Sequence, residues 1–272
     1  MPAEKVDRLG FLGGGQMASA LAKGAVLSQL YLAENLVFCE PSVSQQKKLM
    51  ADFSGCTIAS NAVELFVACS HVVIAVKPQI LREISSQIRP LVHGDHLLLS
   101  IAAGITLPQL AEFFDSHRIV RVMPNTPAQV MQSASGMAFG RDASEADRDW
   151  ATRFMRGVGM VVNVSDSQLH AVTGLSGSGP AYVLLMIEAL SDGGVASGLA
   201  RDVATQLAVQ TVLGAAKMVA ETGLHPAVLR DQVTSPAGTT IAALQVLENR
   251  GVRSAFIDAV KAAADRSREL AS

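Results

Sequence analysis

Cysteine and charge are both scarce in this sequence, and each scarcity excludes something. The 272 residues include three cysteines, Cys39, Cys56 and Cys69, an odd number with no metal-ligand spacing. Neither a disulfide framework nor a zinc site is expected from them. Charged residues make up 17% and the formal net charge is -2, with the basic side chains scattered. That argues against a nucleic-acid footprint and against a polybasic membrane patch. Long apolar runs are missing too. The longest stretch considered, Ala181 to Leu190, contains Glu188 and falls short of the roughly 20 apolar residues that cross a bilayer, so no span is predicted. Met1 to Arg8 carries no apolar signal region, so secretion is not expected and a cytoplasmic location is. Small molecules are the expected partners.

Small and apolar side chains are abundant instead. Hydrophobic residues reach 49% against that low charge, a composition that points to surface reserved for other subunits.

The first half alternates β-rich runs with helical patterns. Leu9–Leu12, Asn35–Cys39, His71–Val76, His96–Ser100 and Ile119–Val122 read as strands joined by helix-length connections, which predicts a doubly wound, mostly parallel α/β sheet. Gly136–Gly140 and Met160–Val164 are expected to add edge strands around a helix from Ser144 to Met155. Beyond Ser165-Asp166-Ser167 no strand pattern appears. The chain therefore divides into a Rossmann domain over 1–164 and an all-helical domain over 165–272.

Gly13-Gly14-Gly15-Gln16-Met17-Ala18 follows the first strand and opens a helix. In this G-x-G-x-x-A form the first glycine makes the tight turn, the second lets a pyrophosphate approach the backbone, and Ala18 lets the helix pack close. Glu40 ends the second strand, where an acidic residue would hold the adenosine ribose and repel a 2′-phosphate. On that ground Glu40 leans toward NADH, while Ser42, Lys47 and Lys48 just beyond it leave NADPH open. Ala75-Val76-Lys77-Pro78 closes another strand at the ligand edge, with Lys77 reaching cofactor hydroxyls or facing solvent. Ile101-Ala102-Ala103-Gly104 is small enough to leave room for a nicotinamide. Met123-Pro124-Asn125-Thr126-Pro127 is a stiff loop that aims polar groups, and Asn125 is counted with the cofactor residues.

Val233 to Ile241 breaks the helical half. Pro236 stops one helix, and the spacing of Ile241, Leu244 and Leu247 starts another. Ser235, Ala237, Gly238, Thr239 and Thr240 thereby deliver free backbone N–H groups to a helix N-terminus, a setting suited to a carboxylate or to an ordinary capped helix start.

Phe11–Ala18, Ala75–Pro78, Met123–Pro127, Gly174-Leu-Ser-Gly-Ser-Gly-Pro-Ala-Tyr182 and Ser235–Ile241, in this order, resemble the pyrroline-5-carboxylate reductases over nearly the whole chain. The resemblance implies NAD(P)H-dependent reduction of 1-pyrroline-5-carboxylate to L-proline. It implies a homodimer through the C-terminal helices, possible assembly into a decamer, and active sites completed by the partner's helical domain. Carried over position by position, the cofactor would meet Leu12, Gly13, Gly14, Gly15, Gln16, Met17, Glu40, Asn61, Ala75 to Pro78 and Ile101 to Ala103. The substrate carboxylate would lie on the Ala237–Thr240 backbone, with the Thr240 hydroxyl facing the imine nitrogen. Two departures stand out: Ala237 occupies a position usually glycine, and Glu40 one often held by a small hydroxyl residue.

Other chemistries find less support. Ser176 and Ser178 lack glycines at both -2 and +2 and follow no strand, so a hydrolase elbow is not expected. His170 and His225 read as helix residues rather than acids. Lys217 keeps a β-hydroxyacid dehydrogenase as an alternative, and a non-catalytic dinucleotide sensor is another.

Overall fold

The computed structural model describes residues 7–271, so the reading of Met1–Arg8 falls mostly outside it. The chain forms two compact units, one of residues up to Ser178 together with Ala262 onward, the other Gly179–Lys261. The division comes later than the change of texture at Ser165. The reason is local: Arg121 NH1 binds Asp166 Oδ1 at 2.7 Å, and Asp166 Oδ2 accepts the Leu107 N–H at 3.2 Å. Those bonds tie the first residues after the change to the sheet.

In the first unit eight strands form one sheet in the order β3-β2-β1-β4-β5-β6-β7-β8. They are β1 Leu9–Leu12, β2 Leu36–Cys39, β3 Thr57–Ile58, β4 His71–Ile74, β5 Leu97–Ser100, β6 Ile119–Met123, β7 Ser133–Phe139 and β8 Gly159–Asn163. Only the β6–β7 pair is antiparallel. Every residue of β1 and β5 is buried, as expected for strands covered by helices on both faces. One apolar layer holds Phe11, Phe38 and Phe154, and the other holds Val72, Leu98 and Phe114.

β3 was not legible in the sequence, since two residues are too few to show alternation. β7 begins earlier than the Gly136 expected, because its first positions, Ser133 and Ser135, are polar yet buried. Their hydroxyls bond each other at 2.8 Å, which removes the penalty of burying them unpaired.

Helices α1 Gln16–Leu27, α2 Val43–Asp52, α3 Ala62–Ala68, α4 Pro78–Ile88, α5 Leu107–Phe114 and α6 Glu145–Arg156 cover the sheet, followed by the short α7 Leu169–Val172. The α6 start is a capping box in which Ser144 and Asp147 serve each other's backbone N–H.

The second unit is helical. It holds α8 Gly179–Ala196, α9 Arg201–Thr222, α10 Pro226–Gln232, α11 Thr239–Asn249 and the first half of α12 Val252–Ala271. A Cβ on Gly194 would stand 3.0 Å from the Ala204 Cβ, so α8 and α9 approach closely there. Both helices expose large apolar side chains, including Leu184 at 66%, Leu185 at 67% and Leu213 at 57%. By length and composition alone α9, which the sequence reading did not single out, is long and apolar enough to cross a membrane, with a mean hydropathy of 1.3 and 11% of that stretch buried. Its alanines, valines and leucines are interleaved with Thr205, Gln206 and Gln210, so it contains no unbroken apolar run.

Candidate active site

Parallel register brings the dinucleotide residues to one edge of the sheet. Leu12 pairs with Cys39 on one side and Ile74 on the other, and Ile74 pairs with Ser100. The residues that follow continue the ladder: the Gly13 N–H reaches the Cys39 carbonyl at 2.9 Å, Ala75 reaches Leu12 at 2.9 Å, and Ile101 reaches Ile74 at 3.1 Å. Gly13–Met17, Glu40, Ala75–Pro78 and Ile101–Ala103 therefore leave the sheet side by side. They do so where the strand order reverses around β1, the crevice in which such sheets bind ligands.

Each glycine of the turn has its own reason. Gly13 has φ +98° and a Cβ there would meet the Ala75 carbonyl oxygen at 2.9 Å. A Cβ on Gly14 would meet Leu49 Cδ1 at 2.5 Å, whereas at Gly15 nothing lies within 4 Å, leaving open space. Gly15 caps α1 with no side-chain hydrogen bond and no acidic residue in the first turn. The exposed N–H groups and the helix dipole fit a pyrophosphate.

Glu40 is anchored rather than free. Its Oε2 accepts the Gly14 N–H at 2.8 Å and its Oε1 accepts the Ser42 N–H at 2.9 Å. Gln45 Nε2 donates to the Gly14 carbonyl at 2.5 Å, so α2 braces the turn from the other side. Sequence reasoning passed over Gln45, whose position on an exposed helix start gave no signal. A carboxylate has about four acceptor sites, so Glu40 keeps capacity for ribose hydroxyls. Burial and the nearby Glu40 charge push the Cys39 thiol up, which keeps it out of thiolate chemistry.

The remaining assigned positions divide. Pro78 opens α4 with Lys77 as its exposed N-cap. Ala102 is buried and Ala103 exposed. Asn61 uses its side-chain oxygen to cap α3, accepting the Glu64 N–H at 3.0 Å. Asn125 is 7% exposed, and its amide is engaged inside the protein at both ends.

Beside this edge the first unit forms an open pocket of about 560 Å³ whose lining includes Pro78, Arg82, Ala103, Thr173, Ser178 and Arg266. Thr173 to Gly177 is a π-turn, a wider winding than an α-helix.

In the second unit the break at Pro236 takes a specific form. Ala237 adopts φ +56°, a left-handed conformation that costs a non-glycine residue about 1 kcal/mol. Gly238 follows as the N-cap of α11, and a Cβ on it would fall 2.2 Å from Ser235 Oγ. No side chain caps this helix and its first turn has no acidic residue. Among the described residues the N–H groups of Thr239, Thr240 and Ile241 have no acceptor. The segment is mostly exposed, with Thr240 half-buried. It is an uncapped helix start preceded by one residue in a left-handed conformation.

The rejected acids behave as structural groups. His225 caps α10 through Nδ1 at 3.2 Å from the Ala227 N–H. His170 Nδ1 lies 3.0 Å from Ser267 Oγ, and burial followed by the Arg121 and Arg268 charges lowers its pKa. Lys217 pairs with Glu221 at 3.5 Å on an exposed helix face.

Known proteins align with the whole of this arrangement. A family model for the pyrroline-5-carboxylate reductase dimerisation domain matches residues 166–270, and one for coenzyme F420-dependent NADP oxidoreductases matches 8–104. A pyrroline-5-carboxylate reductase of Pisum sativum is 46% identical over 96% of this chain and 95% of its own. One of Methanosarcina acetivorans is 42% identical over 97% and 98%. Among solved structures, a pyrroline-5-carboxylate reductase of Coxiella burnetii superposes with a TM-score of 0.91 at 33% identity, covering 98% of this chain and 99% of that one. A Plasmodium falciparum pyrroline carboxylate reductase with NADP bound gives 0.88 at 32% identity over 99% and 100%.

Proposed function

The chain belongs to the pyrroline-5-carboxylate reductase family, and from that premise we infer that it reduces 1-pyrroline-5-carboxylate to L-proline, the last step of proline biosynthesis. The observation that carries the reading is the uncapped start of α11, three backbone N–H groups presented behind Ala237 and suited to the carboxylate of the imine.

The reduced dinucleotide supplies the hydride. Gly13–Met17 and the α1 terminus would hold its pyrophosphate, Glu40 its ribose, and Pro78 and Ala102–Ala103 would border its nicotinamide end. Leu12, Asn61 and Val76 border the same edge. A cyclic imine, once protonated, accepts hydride at carbon without a strong general acid, so the protein's task is to align two ligands and exclude water. The Thr240 hydroxyl orients the imine nitrogen, accepting a hydrogen bond from its N–H once it is protonated, and Ser235 to Thr239 hold the carboxylate.

Glu40 inclines the enzyme toward NADH. Its carboxylate already takes the Ser42 N–H at 2.9 Å, one of the donors a 2′-phosphate would need, and adds like charge beside it. The NADP bound in the Plasmodium relative belongs to that protein; here the acidic residue favours the cofactor without the extra phosphate.

A homodimer through α8 and α9 explains the exposed leucines of both helices and the apolar face of α9 better than lipid does, since Thr205, Gln206 and Gln210 interrupt that face. In the dimer the partner's α11 terminus completes each site, and dimers associate further, up to a decamer.

Adding the imine to enzyme with NADH or NADPH and following oxidation of the reduced nicotinamide tests the reading. Turnover with a preference for NADH is expected. Inactivity with the imine alongside activity on a 3-hydroxy acid would overturn it.

A further inference from the structure

Helix α8 begins Gly179-Pro180. Proline has no N–H and its ring presses on the carbonyl four residues back; here that carbonyl belongs to Ser176. The chain widens at this point, so that the Ser178 N–H reaches Thr173 O at 2.8 Å, five residues behind it. Such π-turns are rare and concentrate at functional sites. The carbonyl that Pro180 cannot serve is taken from outside the helix, where Asn125 Nδ2 donates to Ser176 O at 2.9 Å.

The orientation of that amide follows from its other end. Oδ1 lies 3.0 Å from the Ala134 N–H and 3.0 Å from the Ser133 hydroxyl, and a backbone N–H can only donate. Nδ2 must therefore face Ser176. Met123, two residues before Asn125, adds packing: its Cε stands 2.8 Å from where a Cβ of Gly177 would be. Thr173 and Ser178, the two ends of the turn, line the pocket together with Pro78 and Ala103.

We propose that Asn125 is a positioning residue for the reduction: it locks the π-turn and so sets where Thr173 and Ser178 stand against the loops that receive the nicotinamide end. It does this through Ser176 and not by touching cofactor, which replaces its sequence-based assignment as a cofactor ligand. The kinetic part of the proposal rests on the reductase reading, whereas the turn and its hydrogen bond do not.

Asn125→Asp keeps the acceptor that serves β7 and removes the donor that serves Ser176. The kcat for the imine is expected to fall about tenfold, the effect of one lost hydrogen bond. Dinucleotide Kd, read from nicotinamide fluorescence, should stay within about twofold, and amide hydrogen exchange should quicken within 173–178 alone. Adding Pro180→Ala returns an N–H to position 180 and should recover part of the lost kcat. A tenfold weaker Kd would make Asn125 a cofactor ligand and overturn the proposal. So would an unchanged kcat, or loss of protection across the whole sheet. Should the wild-type protein leave the imine unreduced, the reductase reading fails, and exchange at Ser178 still decides whether Asn125 holds the turn.

Discussion

The Glu40 carboxylate accepts the Gly14 N–H at 2.8 Å across 26 residues of sequence. The residue proposed to discriminate between cofactors is thus also a support for the glycine turn. Replacing it has two consequences. Glu40→Ser removes a negative charge that, at about 4 Å from a phosphate and an effective dielectric near 20, opposes it by roughly 4 kcal/mol before salt screening. The ratio of kcat/KM for NADPH over NADH should rise by about tenfold or more. Binding of NADH should weaken, since the Gly14 brace is lost as well. A ratio that does not move would show that the carboxylate is remote from the 2′-position.

Thr240 carries the reactive edge of the proposed substrate site. Thr240→Ala should lower kcat by about 10- to 150-fold, corresponding to a lost hydrogen bond to a charged group of about 1.5 to 3 kcal/mol. Dinucleotide affinity should be untouched. Steady-state rates at saturating imine, set beside fluorescence titration, separate the two, and unchanged turnover would remove Thr240 from the mechanism.

Ala237 holds φ +56°, a conformation that a β-branched side chain adopts with far greater strain. Ala237→Val should therefore shift the loop that presents the α11 terminus. KM for the imine should rise about tenfold or more, with dinucleotide Kd constant. Ala237→Gly relieves the left-handed strain but loosens the unfolded chain, effects of about 1 kcal/mol that oppose each other, so its melting temperature should barely change. A KM left intact in the valine variant would separate this loop from substrate binding.

Asp147 ties the first turn of α6 to Arg118, the residue before β6. Arg118 holds it through two bonds, at 2.9 and 2.7 Å, and the Ser144 N–H adds a third at 2.9 Å. Burial pushes the carboxyl up, but these donors outweigh it and hold its pKa near 2, below the ordinary 3.8. The folded value is the depressed one. Its stabilisation is thus complete above the unfolded value and disappears as pH falls through the folded one, and it amounts to about 2 kcal/mol. Asp147→Asn should lose about that much near neutral pH and flatten the acid limb. Urea unfolding at fixed protein concentration, repeated from neutral to acid pH, checks both.

The proposed dimer makes a separate demand. Leu184→Glu with Leu213→Glu places charge on two of the exposed positions of α8 and α9. Sedimentation should then show monomer, with imine reduction lost and dinucleotide binding kept. An active monomer of the unaltered chain would contradict a site shared between subunits.

Much of this protein was determined by local sequence. The alternation of strands and helices, the glycine turn, the break at Pro236 and the restart of a helix after it all follow from side-chain and backbone preferences that act over a few residues. Tertiary structure alone decided the rest, because it depends on which distant groups meet. Asn125 sits in a stiff loop that sequence reads as aimed at ligand, yet its amide is consumed by Ala134 and Ser176. Ser133 and Ser135 look like surface and are buried. Pro180 announced in the sequence that the Ser176 carbonyl would lack its helical donor. Which residue would supply one was settled only when β6 and β7 paired and carried Asn125 to it.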